Sequence, residues 1–160
     1  MTADPKDMLE RAFSSELGPL MALSHIVLVN NEITNRFIEK TYDMPVQAWS
    51  SLYAVVHFPG LLARDIRVLF PRPQNSISRA VALLQDRGLI RDAPMKGDSR
   101  AKHLYATEAG QALLSEIEAR ISLRQGEIFG TLSESERCEL LRLCRKVIKS
   151  DTLRQAASLD

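Results

Sequence analysis

The amino-acid sequence predicts a mainly α-helical fold with one small β-hairpin. Three observations predict it. Apolar residues recur at helical spacing through most of the stretch from Leu17 to Ile148. The period changes to two at one place, in "LIRDA" (89–93) and "KHLYA" (102–106). Directly before that change, a short helical stretch, a proline-bearing break and a second helical stretch follow one another in helix-turn-helix order.

Taken in order, residues from about Leu17 to Lys40 read as one long helix, with Leu20, Leu23, Val27, Ile33 and Phe37 at helical spacing. Ile26, Leu28 and Val29 widen its apolar surface beyond one stripe, so this helix wants more than one neighbour. Pro45 suits the first turn of the next helix, which runs to about His57 and carries Trp49, Leu52, Tyr53 and Val56. Phe58-Pro59-Gly60 breaks that pattern. "LLARDIRVLF" is a short helix with Leu62, Ile66 and Leu69 on one face. Pro73 then opens the helix "PQNSISRAVALLQDRG", with Ile77, Val81 and Leu84 inward, Asn75, Ser78, Arg79, Gln85 and Asp86 outward, and Gly88 as its closing glycine. The two strand candidates are joined by "PMKGDSRA", and alternation puts His103 and Tyr105 on one side, Leu104 and Ala106 on the other. Thr107 caps a helix that runs to about Phe129 through Leu113, Leu114, Ile117 and Ile121. Ser133 and Glu136 have capping-box spacing, and the last helix carries Leu140, Leu141, Leu143, Val147 and Ile148.

A chain of 160 residues, 45% apolar and 26% charged, is long enough for one real core. The start "MTADPKDMLERAF" lacks the apolar run of a secretory signal, and no apolar stretch approaches the ~20 residues of a membrane helix. These features lead to the expectation of a cytoplasmic protein with no membrane association. Cys138 and Cys144 are too few for a disulfide scaffold. On one helix their Cα atoms stand about 9 Å apart along the axis, beyond disulfide reach. The formal charge of +1 is unevenly spread. Leu61 to His103 holds nine Lys/Arg against four Asp, a surplus of five positive charges, and the remainder of the chain is acidic. A basic middle is what a polyanionic partner requires, although charge alone fits a solvated face equally well.

The basic middle coincides with the helix-turn-helix. An α-helix fits the major groove, and its N-terminal residues reach base edges. Gln74, Asn75, Ser76, Ser78 and Arg79 occupy that end. Gln and Asn can bond adenine in two places, Arg can bond guanine in two places, and Ser can bond phosphate or base. An ordinary amphipathic helix with a solvated face is the competing reading. The hairpin shifts the balance. A basic tip placed directly after such a helix can reach the adjacent minor groove, whose negative potential attracts arginine. Arg100 has the reach, Gly97 allows a tight turn, and Lys96 and Lys102 can meet phosphates. Asp98 fits if it pairs with Arg100 or another basic residue and fixes the tip.

With these residues in view, the chain resembles the MarR-type winged-helix transcription regulators. "GDSRAKHLYATEAGQALL" is similar to the family's wing, with Asp98, Arg100, Leu104, Thr107 and Gly110 at the pattern positions. "SISRAVALLQDRGLIRD" resembles its recognition helix and first wing strand, and "QAWSSL" the start of its second helix. The resemblance runs from about Leu17 to Ile148. It departs from the family at Asp65-Ile66-Arg67, where a Glu-Leu-Ala pattern is usual, and at Pro71, which replaces the glycine of the turn.

The resemblance implies a winged helix-turn-helix with N- and C-terminal dimerisation helices: residues 1–40 and 108–160 for the homodimer, residues 41–107 for the DNA-binding lobe. It implies a palindromic operator with half-sites about one helical turn apart. It also implies a repressor whose DNA affinity falls when a small aromatic or anionic effector binds between lobe and dimer region. Arg72 and Lys102 are candidate phosphate contacts, and Arg100 the minor-groove arginine. Some family members sense oxidants through a cysteine near the N-terminal helix, whereas Cys138 and Cys144 lie in the last one. The competing function is a winged-helix module for protein–protein contact or scaffolding without DNA readout. No enzyme chemistry is expected: His25, His57 and His103 are scattered, no metal-ligand spacing, nucleophile elbow or phosphate-binding loop occurs, and no cofactor is called for. His25 and His57 are expected to be half-buried and satisfied, and Trp49 to belong to the core.

Overall fold

The computed structural model describes residues 4–95 and 98–153, the side chains of Met95, Asp98, Ser99 and Arg100 excepted. It divides into two compact units, residues 1–44 and 45–160.

The first unit is helical. Asp4 caps α1 (Pro5–Phe13): its Oδ1 accepts the Lys6 amide at 2.9 Å, and a proline fills the first helical position. α2 (Gly18–Asn30) follows, then a π-helical turn (Asn31–Asn35), then α3 (Arg36–Tyr42). The expected single helix from Leu17 to Lys40 is therefore three pieces in near-continuous succession. At the π-turn, Thr34 Oγ1 donates to Asn30 Oδ1 at 2.9 Å and Asn35 Nδ2 to Asn31 Oδ1 at 2.6 Å, so polar side chains four residues apart bond one another along the break. Gly18 allows the tight entry to α2, because a Cβ there would meet the Phe13 carbonyl oxygen at 2.0 Å. His25 is exposed and stands edge-on to Phe13, where a half-buried position was expected.

The second unit begins with α4 (Val46–His57), with Pro45 at its N-cap. A 3₁₀ turn (Ala63–Asp65) leads into α5 (Ile66–Leu69), and α6 (Gln74–Asp86) follows after Pro71-Arg72-Pro73. Strands β1 (Ile90–Met95) and β2 (Asp98–Ala106) pair antiparallel, and α7 (Glu108–Phe129) and α8 (Glu134–Ile148) complete the described chain. α4 is the central strut and packs against α5, α6, α7 and β2. Leu52 and Val55 of α4, Ile66 of α5, Ile77 and Leu84 of α6, Ile90 and Leu104 of the hairpin, and Leu114 and Ile117 of α7 are all buried. Ser50 and Ser51, also buried in α4, donate to the Val46 and Gln47 carbonyls at 2.7 Å each, which satisfies them inside the helix. Trp49 is half-buried.

Three local devices fix the hairpin between α6 and α7. Gly88 adopts φ +67° and closes α6, the left-handed position glycine takes most readily. Thr107 caps α7 by accepting the Gly110 amide at 3.1 Å, and its hydroxyl donates back to Gly88 O at 2.7 Å. Gly110 lets the helix start lie against Leu89, the residue before β1: a Cβ there would meet Leu89 O at 2.0 Å. The Ser133–Glu136 capping box at α8 forms as its spacing predicts, with the Ser133 amide donating to Glu136 Oε2 at 2.7 Å.

Candidate nucleic-acid interface

α5 and α6 form the helix-turn-helix. Arg67 Nε donates to Arg72 O at 3.1 Å across the proline-rich turn, so the segment before α6 is held by a side chain of α5. Arg67 thus stands where the family pattern has alanine and gives the turn a bond of its own. On α6, Ile77, Ala80, Val81 and Leu84 are buried, whereas Gln74, Asn75, Ser78 and Arg79 are exposed along the N-terminal half. The helical period alone sorts them, since residues three and four apart share a face. Ser78 Oγ donates to Gln74 O at 3.0 Å and keeps its lone pairs for an outside donor. Ser76 and Arg72 are half-buried rather than fully outward.

A cleft of about 240 Å³ opens between the start of α4 and the flank of α6, lined by Pro45, Gln47 and Ala48 on one wall and Ser76, Arg79, Ala80 and Leu83 on the other. Two of the sequence-nominated residues, Ser76 and Arg79, thus share a recess with Gln47, which the sequence reading did not single out. The pairing joins segments about thirty residues apart, and no local pattern encodes it.

The wing has a rooted base. Ile90 faces Ala106, Arg91 faces Tyr105, Asp92 faces Leu104 and Ala93 faces His103; the register then shifts, and Met95 pairs with Asp98. The shift falls at Pro94, which has no N–H to offer the ladder. β2 also pairs on its other edge. Gly60 N donates to Leu104 O at 2.8 Å and Leu104 N to Leu61 O at 2.9 Å, while buried His103 donates from Nδ1 to Gly60 O at 2.6 Å. Gly60 adopts φ +86° to make this approach. The alternation expected for β2 is present, yet both His103 and Leu104 are buried, because the Gly60–Leu61 segment covers an edge that sequence left open. Arg91 stacks its guanidinium 5.2 Å from the Tyr105 ring centre. Asp92 ties the wing to the recognition-type helix: it accepts Gln85 Nε2 at 3.2 Å and lies 3.7 Å from Lys102 Nζ. Lys102 is 83% exposed and remains open to an external anion. Lys96 lies outside the described residues. Asp98 and Arg100 sit at the start of β2, and the expected pairing of their side chains lies outside the described residues.

Two further features stand apart from the basic surface. His57 Nε2 donates to Glu118 Oε1 at 2.7 Å, which joins α4 to α7, and Tyr53 stands between the His57 ring, 4.3 Å away, and the Phe70 ring, 6.1 Å away. Between α7 and α8 a groove of about 580 Å³ is lined by Gln125, Phe129, Arg137, Leu141 and both cysteines, which are free thiols. Among the described residues no cluster of three or more His, Cys, Asp or Glu is placed to hold a metal ion, and no helix is long and apolar enough to cross a membrane.

Comparison with known proteins agrees with this geometry. Residues 42–101 match the model of the MarR family. A MarR family transcriptional regulator from Silicibacter pomeroyi DSS is similar in fold, with a TM-score of 0.77 at 19% identity over 85% of this chain and 93% of that one. A Listeria monocytogenes protein of the MarR family, solved with a 26mer DNA, matches with a TM-score of 0.72 at 22% identity over 80% of this chain and 85% of its own. Bordetella bronchiseptica BpsR, whose DNA binding is regulated by 6-hydroxynicotinic acid, matches with a TM-score of 0.73 at 22% identity over 87% of this chain and 97% of its own. From helix-turn-helix to wing the chain has the fold of these winged-helix proteins, and its segment 42–101 is similar to the MarR family.

Proposed function

We propose that this protein is a sequence-specific double-stranded DNA-binding transcription regulator that acts in the cytoplasm as a homodimer. The observation that carries the reading is the sorting of α6: Ile77, Ala80, Val81 and Leu84 are buried, and Gln74, Asn75, Ser78 and Arg79 stand outward at the end of the helix that enters a major groove. Arg100 reaches the minor groove from the wing, Asp98 aims it, and Arg72, Lys96 and Lys102 neutralise phosphates. Residues 41–107 form the DNA-binding lobe, and residues 1–40 with 108–160 form the dimerisation region. The exposed apolar side chains of α2 (Leu20, Leu23, Val27, Leu28) and of α8 (Leu141, Val147, Ile148) support the second assignment, since apolar patches of this kind mark association surfaces. A palindromic operator follows from two-fold symmetry. In the same reading the protein is a repressor, and a small aromatic or anionic effector releases it; the regulation of BpsR by a hydroxylated aromatic acid supports that part.

The test is quantitative DNA binding. The purified protein is expected to footprint a palindrome upstream of its own gene, and its affinity is expected to fall steeply with salt as phosphate contacts release counterions. Arg100→Ala is expected to weaken specific binding by about 1–3 kcal/mol, the range of one lost groove contact, with the dimer intact by sedimentation. A flat salt response, or no DNA retained at low salt, would instead favour the scaffolding function.

A further inference from the structure

Resting on the DNA-binding reading above, we propose that the cleft between α4 and α6 seats a backbone phosphate of the operator, and that Gln47 is a further DNA-contacting residue. A helix with its side chains is about 10–12 Å across, and the major groove is about 12 Å wide. α6 therefore fills the groove, and a sugar-phosphate strand must run along its flank. On the flank that carries Ser76, Arg79 and Leu83, α4 closes the space and leaves the cleft of about 240 Å³. Among its lining residues Arg79 carries a guanidinium, Ser76 a hydroxyl and Gln47 an amide, beside the apolar Pro45, Ala48, Ala80 and Leu83, and there is no carboxylate: a set that suits a phosphate. Ala48 and Ala80, both buried, line it with small side chains that take little of its space. Arg79 and Ser76 stand on the helix that reads bases. Gln47 comes from a different element, so a phosphate held by all three fixes the angle between α4 and the groove. Gln47 contributes position and not base identity.

Two substitutions test this in the full-length protein, with Arg79→Ala as reference. Gln47→Ala is expected to lower affinity about tenfold, the worth of a hydrogen bond to a charged group. The same factor should appear with the operator and with a scrambled duplex, and the salt slope should not change, because a neutral side chain releases no counterion. Arg79→Ala should reduce the salt slope by about one. Gln47→Glu is the sharper variant. An acid in the first turn of α4 suits the helix dipole and keeps or raises thermal stability, yet it faces the phosphate and should weaken binding more than alanine does. Stability and affinity thus move in opposite directions, which a merely structural role for Gln47 does not produce. Parental affinity in both Gln47 variants, with the parent and Arg79→Ala behaving as expected, overturns the phosphate seat alone. Failure of the parent to bind any duplex overturns this inference together with the DNA-binding reading.

Discussion

α2 and α6 are both thirteen residues long, and their surfaces are disposed in opposite ways. α6 is resolved within its own chain: Ile77, Ala80, Val81 and Leu84 are buried, Gln74, Asn75, Ser78, Arg79 and Asp86 face out, and Ser76 and Gln85, the latter expected outward, are half-buried. α2 is apolar nearly all round, yet Gly18 is its one buried residue, and Leu28 stands 67% exposed. Water-facing leucine on this scale is costly, at about 25 cal/mol per Å² of apolar surface. The contrast teaches that the two helices bury their apolar residues differently. α6 rests on its own core and offers a polar face; α2 offers an apolar face, which in the proposed homodimer a second copy covers.

The comparison breaks most sharply at Leu84. Leu84→Ala removes a fully buried side chain from α6 and is expected to cost about 3 kcal/mol by cavity formation. Chemical denaturation should register that loss equally at every protein concentration. Leu28→Lys in α2 should leave the circular dichroism of the chain unchanged and weaken self-association by about 2 kcal/mol, roughly 30-fold in dissociation constant, read by sedimentation on dilution. A dimer that survived this change would show that α2 is covered by something other than a second copy. The smallest effect belongs to the α8 cap. The Ser133 amide and hydroxyl hold the Glu136 carboxyl below its ordinary value of 4.5. A group so lowered contributes stability that is present above its ordinary value and lost as pH falls through the lowered one. Glu136→Gln should therefore lower helix stability slightly at neutral pH, converge with the parent in acid, and flatten the acid limb below about pH 4.5, as thermal melts followed by circular dichroism against pH would record.

What the sequence made legible was local. The inward set Ile77, Val81 and Leu84, the Thr107 cap, the Ser133–Glu136 box and the closing glycine Gly88 each depend on residues within one or two helical turns. The polar face of α6 was legible for the same reason. What escaped joins distant segments: Gly60–Leu61 against Leu104, His57 with Glu118, and Gln47 beside Ser76 and Arg79. No periodicity encodes these pairs. α1 is a different omission, since its Asp4-Pro5 start carries a cap signal that was there to be read. The break at Asn31–Asn35 was hidden because the apolar period continues through it from Val27 to Ile33 and Phe37.

The two-sided pairing of Leu104 has a mechanical consequence. β2 is clamped by β1 on one edge and by Gly60–Leu61 on the other, with His103 bolted to the same glycine. The wing is thus a cantilever built into a wall. A load applied near its tip does not swing it about a loose hinge. The torque passes through the Gly60 turn into the end of α4, where His57 hands it to Glu118 on the long helix α7.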